Sequence, residues 1–380
     1  IISKSGIVYG AMFNDKNKVM HIGIEDENKL NDLLGSKYLQ SNIGFSYKNV
    51  KENLKKDRKV LFVGLPCQAN ALRNYIGDND NLILIDLICH GVPSQIVFEK
   101  YIKDLFGDYS IKEIYFRDKK DNRDWENFKM KIIGEKSVYS RSHKKDAFFY
   151  GYLKNLYLND VCYSCPFSQM PRVSDITLGD YWGVSENLKD REGTSLVITN
   201  SNKGESLIKE LSYDKKIQLV ETDIIQASKS NPRLIRGQLV VPNVRREIFE
   251  KIDELTFKDI DKLFIKSFND DVYDHLLKVI KSKKIVVFGT GTALNKILSK
   301  QHIINLDNIN YLLDNDTNKQ GNKIYHKEVY GIEKLSQENI DDVFVIVASS
   351  YYDEICSQLE SIGFVENIDF IDGTKYILCD

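Results

Sequence analysis

The chain has 380 residues, with 53 Lys and Arg against 55 Asp and Glu and a formal net charge of −2. That length accommodates two domains, each with its own core, and the even mix of charges excludes a global nucleic-acid or anionic-membrane signature. No apolar run approaches a membrane span and no charged-then-apolar leader opens the chain, so a cytoplasmic protein is expected, one whose six cysteines serve as ligands or buried thiols rather than disulfides.

The chain enters directly on a strand-like stretch, residues 6–13, and its first residue is Ile rather than Met; a missing upstream segment is therefore an expectation. His21-Ile-Gly-Ile24 reads as a second strand and residues 27–34 as a short helix, followed by Gly35-Ser-Lys-Tyr-Leu-Gln-Ser41. Gly35, Ser36 and Lys37 offer backbone N–H groups, a hydroxyl and an ammonium, which are phosphate-binding parts, and Tyr38 could cover a planar ring. The bland alternative is a helix C-cap with Gly35 left-handed. The Lys-rich stretches 51–59 and 281–284 read as solvated helix faces.

Two apolar runs of strand length follow, Lys59-Val-Leu-Phe-Val-Gly64 and Asn81-Leu-Ile-Leu-Ile-Asp86, each closed by turn residues and leading to a cysteine, Cys67 or Cys89. Residues 68–75 between them read as a helix, giving a β-α-β unit with parallel strands. Parallel strands present their carboxyl ends on one edge, where α/β folds keep their ligands, so Cys67 and Cys89 are expected on that edge.

Pro93-Ser94 opens a helix over residues 95–105 with Phe98, Tyr101, Ile102 and Leu105 on one buried face. A β-rich stretch covers 111–139, and an aromatic helix over 147–158 delivers the chain to Cys162-Tyr-Ser-Cys165. A strand ending in a Gly-rich turn follows at 172–183, then a strand at 194–199 and a helix opened by Lys203-Gly-Glu205.

Cys67, Cys89, Cys162 and Cys165 supply the four thiolates that a 4Fe–4S cluster takes. A structural zinc would accept the same four, or three of them with His90, and separate buried thiols are the third reading. Cys356 and Cys379 are read as a buried helix thiol and a tail residue. Arg117, Asp118, Lys119 and Arg172 offer anion partners or plain surface charge. Trp125, Tyr181 and Trp182 could wall a ring system or simply pack, and Asp175 and Asp180 could meet sugar hydroxyls or cap turns.

A charged helical segment, 256–280, separates residues 1–255 from a second unit at 281–380. There the strand 284–288 runs into Gly289-Thr-Gly-Thr-Ala293 and a helix, and Asp314 ends the next strand, a partial dinucleotide fingerprint lacking its third glycine. A further strand, 343–348, precedes a helix over 352–362. The expected fold class is α/β: a mixed-sheet domain followed by a small Rossmann-like parallel domain.

Six segments occur in fixed order: Gly35-Ser-Lys-Tyr-Leu-Gln-Ser41, Val60-Leu-Phe-Val-Gly-Leu-Pro-Cys-Gln68, Asp86-Leu-Ile-Cys-His-Gly-Val-Pro-Ser94, Phe116-Arg-Asp-Lys119, Cys162-Tyr-Ser-Cys-Pro-Phe167 and Arg172-Val-Ser-Asp-Ile-Thr-Leu-Gly-Asp-Tyr-Trp-Gly183. Together they make residues 5–250 resemble the coenzyme F(420) hydrogenase/dehydrogenase beta-subunit family, including members from bacterial polysaccharide gene clusters. The resemblance implies a flavoprotein with FAD and at least one 4Fe–4S cluster, moving electrons between iron–sulfur centres and a flavin to reduce or oxidise a deazaflavin or another conjugated substrate. It implies Cys67, Cys89, Cys162 and Cys165 as cluster ligands, with His90 and Arg172 beside them. Gly35, Ser36, Lys37, Tyr38, Gln68, Arg117 and Lys119 would hold FAD.

Many members begin with a ferredoxin module that this sequence does not contain, so a ferredoxin or ferredoxin-like electron donor is expected as a partner, beside a small-molecule substrate and a homo-oligomer. The second unit resembles small Rossmann-like modules on polysaccharide-biosynthesis proteins, with Gly289, Gly291 and Asp314 as its candidate nucleotide contacts. Two rivals stand: a nucleotide-sugar redox enzyme using that second pocket, and a zinc-stapled assembly module without enzymatic function.

Overall fold

The computed structural model describes residues 1–119, 125–143, 145–299 and 304–376, so Cys379 lies outside the described residues. The chain divides into two compact units, Ile1–Phe264 and Ile265–Asp380.

The first unit is built on a six-stranded sheet. Its strands, in chain order, are β1 (Ile7–Phe13), β2 (Val19–Ile24), β3 (Val60–Gly64), β4 (Leu82–Leu87), β8 (Ile176–Asp180) and β9 (Ser195–Thr199), arranged β2-β1-β3-β4-β8-β9. The intervening β5 (Ile111–Asp118), β6 (Lys129–Gly134) and β7 (Val138–Ser142) form a separate antiparallel sheet. In the main sheet β1, β3, β4 and β8 run parallel, and only the outer β2 and β9 are antiparallel. Helices α1 (Ser46–Lys55) and α2 (Pro66–Ile76) lie in the β1–β4 half, and Val50, Leu54 and Leu72 pack with Val60, Phe62, Leu82 and Leu84. Each such side chain, taken wholly out of water, stabilises the unit by about 1.5–3 kcal/mol.

The expected β-α-β unit is present, with Val60 to Gly64 paired in parallel with Leu82 to Asp86. Its helix starts earlier than the sequence suggested, at Pro66, because a proline at the first helical position loses no hydrogen bond. Cys67 therefore sits in the first turn of α2 rather than on the strand end. Helix α3 (Gln95–Phe106) buries Val97, Phe98, Tyr101 and Phe106. The aromatic helix α4 is shorter than expected, Ala147–Leu153, since Asn155 turns left-handed at φ 62° and the chain leaves as an extended strap. The four-residue α5 (Asp160–Tyr163) carries Cys162. Next come α6 (Asn202–Tyr213), α7 (Ile224–Lys229) and α8 (Arg245–Glu250), and the boundary between units falls inside α9 (Phe257–Val279).

The second unit has its own six-stranded sheet, formed by β10 (Lys284–Phe288), β11 (Ile309–Leu313), β12 (Lys323–Ile324), β13 (Lys327–Tyr330), β14 (Val343–Val347) and β15 (Phe370–Asp372) in the order β12-β13-β11-β10-β14-β15. All but β12 are parallel, and α10 (Thr292–Ser299) and α11 (Tyr352–Ser361) complete a doubly covered sheet. Every residue of β14 is buried, as a central parallel strand requires. Both units are thus α/β, with a mixed sheet in the first. Among the described residues no helix is long and apolar enough to cross a membrane.

Candidate functional site

A cavity of about 840 Å³ opens in the first unit, walled by the carboxyl ends of β3, β4 and β8, by residues 33–39, by Arg117 of β5 and by Phe128. Its volume lies in the upper range for small-molecule and cofactor sites. The wall is mainly apolar, with Val63, Leu87, Ile88, Leu178 and Phe149 among its residues, and a few polar groups converge on it.

Arg117, on β5, is the principal charge in the wall. Its side chain is 9 % exposed and pairs with Asp180 at the end of β8. Nη2 donates to Trp125 O at 3.4 Å, and the guanidinium lies over the Phe128 ring at 4.7 Å. The buried Nε has no protein partner. His90, just past β4, likewise leaves a buried Nε2 without one, while its ring meets Tyr152 edge-on at 5.1 Å. Burial and the nearby Arg233 charge lower the His90 pKa, so the neutral ring is favoured. Both atoms are buried away from the cavity surface, and the His90 ring lies within hydrogen-bonding reach of the Asn155 side chain and the Tyr152 backbone.

The residues after the first short helix reach the same cavity, but not as the sequence suggested. Gly35 is left-handed at φ 82°, in agreement with the C-cap reading. The Lys37 ammonium donates to Leu33 O at 3.3 Å, Leu34 O at 2.9 Å and Gly35 O at 3.1 Å. An ammonium has three protons, and here each has a carbonyl. Burial lowers its pKa to about 8. Tyr38 is packed against Phe116, Phe149 and Tyr152, and burial raises its pKa against the pull of Arg117. Gln68 faces the cavity, yet its Oε1 accepts from Leu65 N–H at 2.9 Å and its Nε2 donates to Ser41 Oγ at 2.9 Å. Ser41 in turn bonds His21 Nδ1 at 2.8 Å, and His21 Nε2 bonds Val63 O at 3.0 Å. A carbonyl only accepts, so Nε2 carries the proton and Nδ1 accepts from the serine. The network spans from β2 to the β3–α2 turn that presents Cys67, and sequence reading missed it.

Lys119 and Arg172 are not among the cavity-wall residues. Lys119 donates to Glu192 O at 3.1 Å. Arg172 is buried against Asp86, 3.9 Å away, and its Nη2 donates to Arg233 O at 3.1 Å. Its Nε and Nη1 have no hydrogen-bond partner, although Nη1 is the atom paired with Asp86.

The four cysteines gather beside the cavity from three segments. Cys89 belongs both to the cavity wall and to the thiol group. Burial, with Cys162 and Cys67 adding to it, pushes its thiol up to about 12. Cys67 is raised by burial and by Cys165 and Cys162, and Cys162 by burial and Cys165, so all four lie in mutual electrostatic reach. None is in a disulfide. Among the described residues, no three His, Cys, Asp or Glu side chains are grouped as ligands of a single metal ion. The charge of buried Arg172 reaches Cys89 and Cys165, which suits a ligand set that carries negative charge. The four thiols match in number the ligands of a 4Fe–4S cluster, and the mainly apolar cavity beside them has the size of a cofactor site.

Arg233, which sequence reading did not single out, joins these segments. It is 6 % exposed. Its Nε donates to Cys89 O at 3.2 Å, Nη2 to Cys162 O at 3.3 Å, and Nη1 to Arg236 O and Gly237 O at 3.1 and 2.9 Å. Gly237 O also accepts from Cys165 N–H at 3.0 Å, and a Cβ at Gly237 would stand 2.4 Å from Cys165 O, so only glycine fits.

Residues 57–224 match the family described as the C terminus of the coenzyme F420 hydrogenase/dehydrogenase beta subunit. That segment is similar to this family. It contains all four cysteines, His90 and Arg117, whereas Gly35 to Tyr38 and Arg233 lie outside it. The family's description names oxidoreductase subunits. Residues 281–368 match a second family, described as C2185-like, N-terminal. Among solved structures, a chain of the F420-reducing [NiFe] hydrogenase complex from Methanosarcina barkeri is similar at 15 % identity, over 66 % of this chain and 81 % of that one, with a TM-score of 0.39. No curated protein matches.

In the second unit, Gly289 and Gly291 lie on the turn between β10 and α10 as expected. Asp314, however, is already engaged: its Oδ2 accepts from Thr290 N–H at 3.1 Å, from the Thr290 hydroxyl and from Lys319 Nζ at 3.1 Å, while Oδ1 accepts from Asp316 N–H at 3.0 Å. The carboxylate that would read a ribose in a dinucleotide site here closes the turn on itself.

Proposed function

We propose that this chain is a flavin- and iron–sulfur-dependent oxidoreductase, with Cys67, Cys89, Cys162 and Cys165 as ligands of a 4Fe–4S cluster and the adjoining cavity as the FAD site. One observation carries the reading: Cys89 belongs at once to the four-thiol group and to the cavity wall. A cluster supplies single electrons and a flavin couples them to two-electron chemistry. Two electrons from a ferredoxin-like donor, taken one at a time, and two protons from solvent would reduce one conjugated small-molecule substrate. The resemblance of both units favours a role in polysaccharide biosynthesis.

The chain's own residues would bind and orient. Arg117, held by Asp180 and the Phe128 face, would set a positive charge at the wall for the bound ring system or its phosphates. His90 would line the same wall with its ring edge-on to Tyr152. The Tyr38, Phe149 and Tyr152 rings exclude water. Lys37 and Gln68, with their polar atoms spent on the backbone and on Ser41, would shape the site rather than grip phosphate.

The test is anaerobic purification, reconstitution with iron, sulfide and FAD, and an absorption spectrum before and after dithionite. The expected result is a flavin band over a broad iron–sulfur shoulder, both bleached by reductant, with Cys89→Ser losing most of its iron. A protein that takes up zinc but neither sulfide nor flavin would refute the redox reading and support the zinc-stapled module. Full iron content and turnover in Cys89→Ser would refute the ligand assignment.

A further inference from the structure

The geometry points to Arg233 as the positioning residue of the cysteine site: one guanidinium ties together the segments that carry Cys89, Cys162 and Cys165 and lends them its positive charge. The inference rests on the cluster reading above and adds to it a residue outside the matched family segment.

Cys89 follows β4, and Cys162 and Cys165 lie more than 70 residues further on, in a segment outside the main sheet that Arg245 of α8 holds at Leu158 O and Tyr163 Oη, at 3.0 and 2.9 Å. The two regions are laced by Ser94 N–H to Tyr157 O at 2.7 Å and Asn159 N–H to Val92 O at 2.8 Å. Residues 236–239 pair with the strap from the other side, through Cys165 N–H to Gly237 O at 3.0 Å and Leu239 N–H to Tyr163 O at 2.8 Å. Arg233 closes this arrangement from within. Its donations to Cys89 O, Cys162 O, Arg236 O and Gly237 O use four of the five guanidinium protons, fixed in one plane. A lysine has three protons on one nitrogen and cannot reach across such a fork.

All four acceptors are neutral carbonyls. The charge is therefore held in place without being cancelled by a bound carboxylate, and it favours whichever neighbouring state is more negative. For a group that gains an electron, that is the reduced state. Two effects separate: the fork sets the spacing of the cysteine segments, and the charge sets the potential.

The experiment compares wild type, R233Q and R233K after identical anaerobic reconstitution, reading iron and sulfide per chain, the rate of cluster loss to a chelator, and the cluster's midpoint potential by redox titration. R233Q is expected to hold less iron, lose it several-fold faster and titrate lower, so that at the wild-type midpoint its reduced-to-oxidised ratio falls roughly tenfold. R233K is expected to lose iron faster than wild type yet keep a near-wild-type potential, because it retains the charge without the fork. Should R233Q fail to fold, R233K against wild type carries the test. Variants equal to wild type in retention and potential would overturn the role of Arg233 while leaving the cluster reading intact. A wild-type protein that takes up no iron would overturn the cluster reading, and this role with it.

Discussion

Replacing Gln68 with leucine tests whether the side-chain network beneath the β3–α2 turn determines how Cys67 is presented. Gln68 is 8 % exposed, and leucine is of similar bulk, so the substitution removes polarity more than volume. It deletes two hydrogen bonds, Leu65 N–H to Oε1 and Nε2–H to Ser41 Oγ, each 2.9 Å. The Leu65 N–H at the start of α2 then has no acceptor, which costs about 1–3 kcal/mol. Ser41 loses one donor but still bonds His21, a loss of about 0.5–1 kcal/mol. Greater apolar burial offsets part of this, leaving a net destabilisation of about 2 kcal/mol. Urea unfolding followed by tryptophan fluorescence isolates the right unit, because both tryptophans, Trp125 and Trp182, lie within it. Gln68→Glu keeps an acceptor for Leu65 N–H and is expected to lose less than half as much. A Gln68→Leu midpoint equivalent to less than about 0.5 kcal/mol of destabilisation would refute the claim that this network holds the turn.

Two further outcomes are expected. Burial lowers the His21 pKa below 6.5, against the raising effect of its bond to Val63 O. As pH falls through 6.5 the unfolded chain takes up a proton that the folded chain refuses, so stability falls on acidification with a slope from this residue that starts near ~0.7 kcal/mol per pH unit and approaches about 1.4 while the folded ring stays neutral. His21→Asn should flatten the acid limb of a stability–pH profile by that amount, and unchanged slopes would contradict the neutral, doubly bonded ring. In the second unit, Asp314→Ala strips the acceptor from Thr290 and Lys319 and should lower that unit's stability by about 1–3 kcal/mol, measured by hydrogen exchange across β10 and β11. A nucleotide-site role alone would leave exchange unchanged.

Locally encoded features were legible. The β-α-β unit around Cys67 and Cys89 is announced by two apolar runs, a proline at the helix start and turn residues, all acting within a few positions. Cys162 and Cys165 advertise themselves by spacing. The end of α4 was not legible, because nothing in the aromatic run 147–158 marks Asn155 as the residue that turns left-handed. Lys37 and Asp314 were chemically plausible ligands whose donors and acceptors the fold spends on its own backbone and on neighbouring side chains, an outcome no residue type reveals. Arg233 carried a faint signal at most, an arginine in Pro232-Arg-Leu-Ile-Arg-Gly237, more than 60 residues from the cysteines it joins.

The sequence by itself determined the α/β class and the similarity of the segment around the cysteines to a known family, because periodicity, turn chemistry and short spacings are properties of neighbouring residues. Only the tertiary structure decided which polar groups remain free. His21 meets Val63 across 42 positions, and Arg233 meets Cys89 across 144. A buried donor takes whatever acceptor the fold brings to it, and that pairing exists only once distant segments have packed.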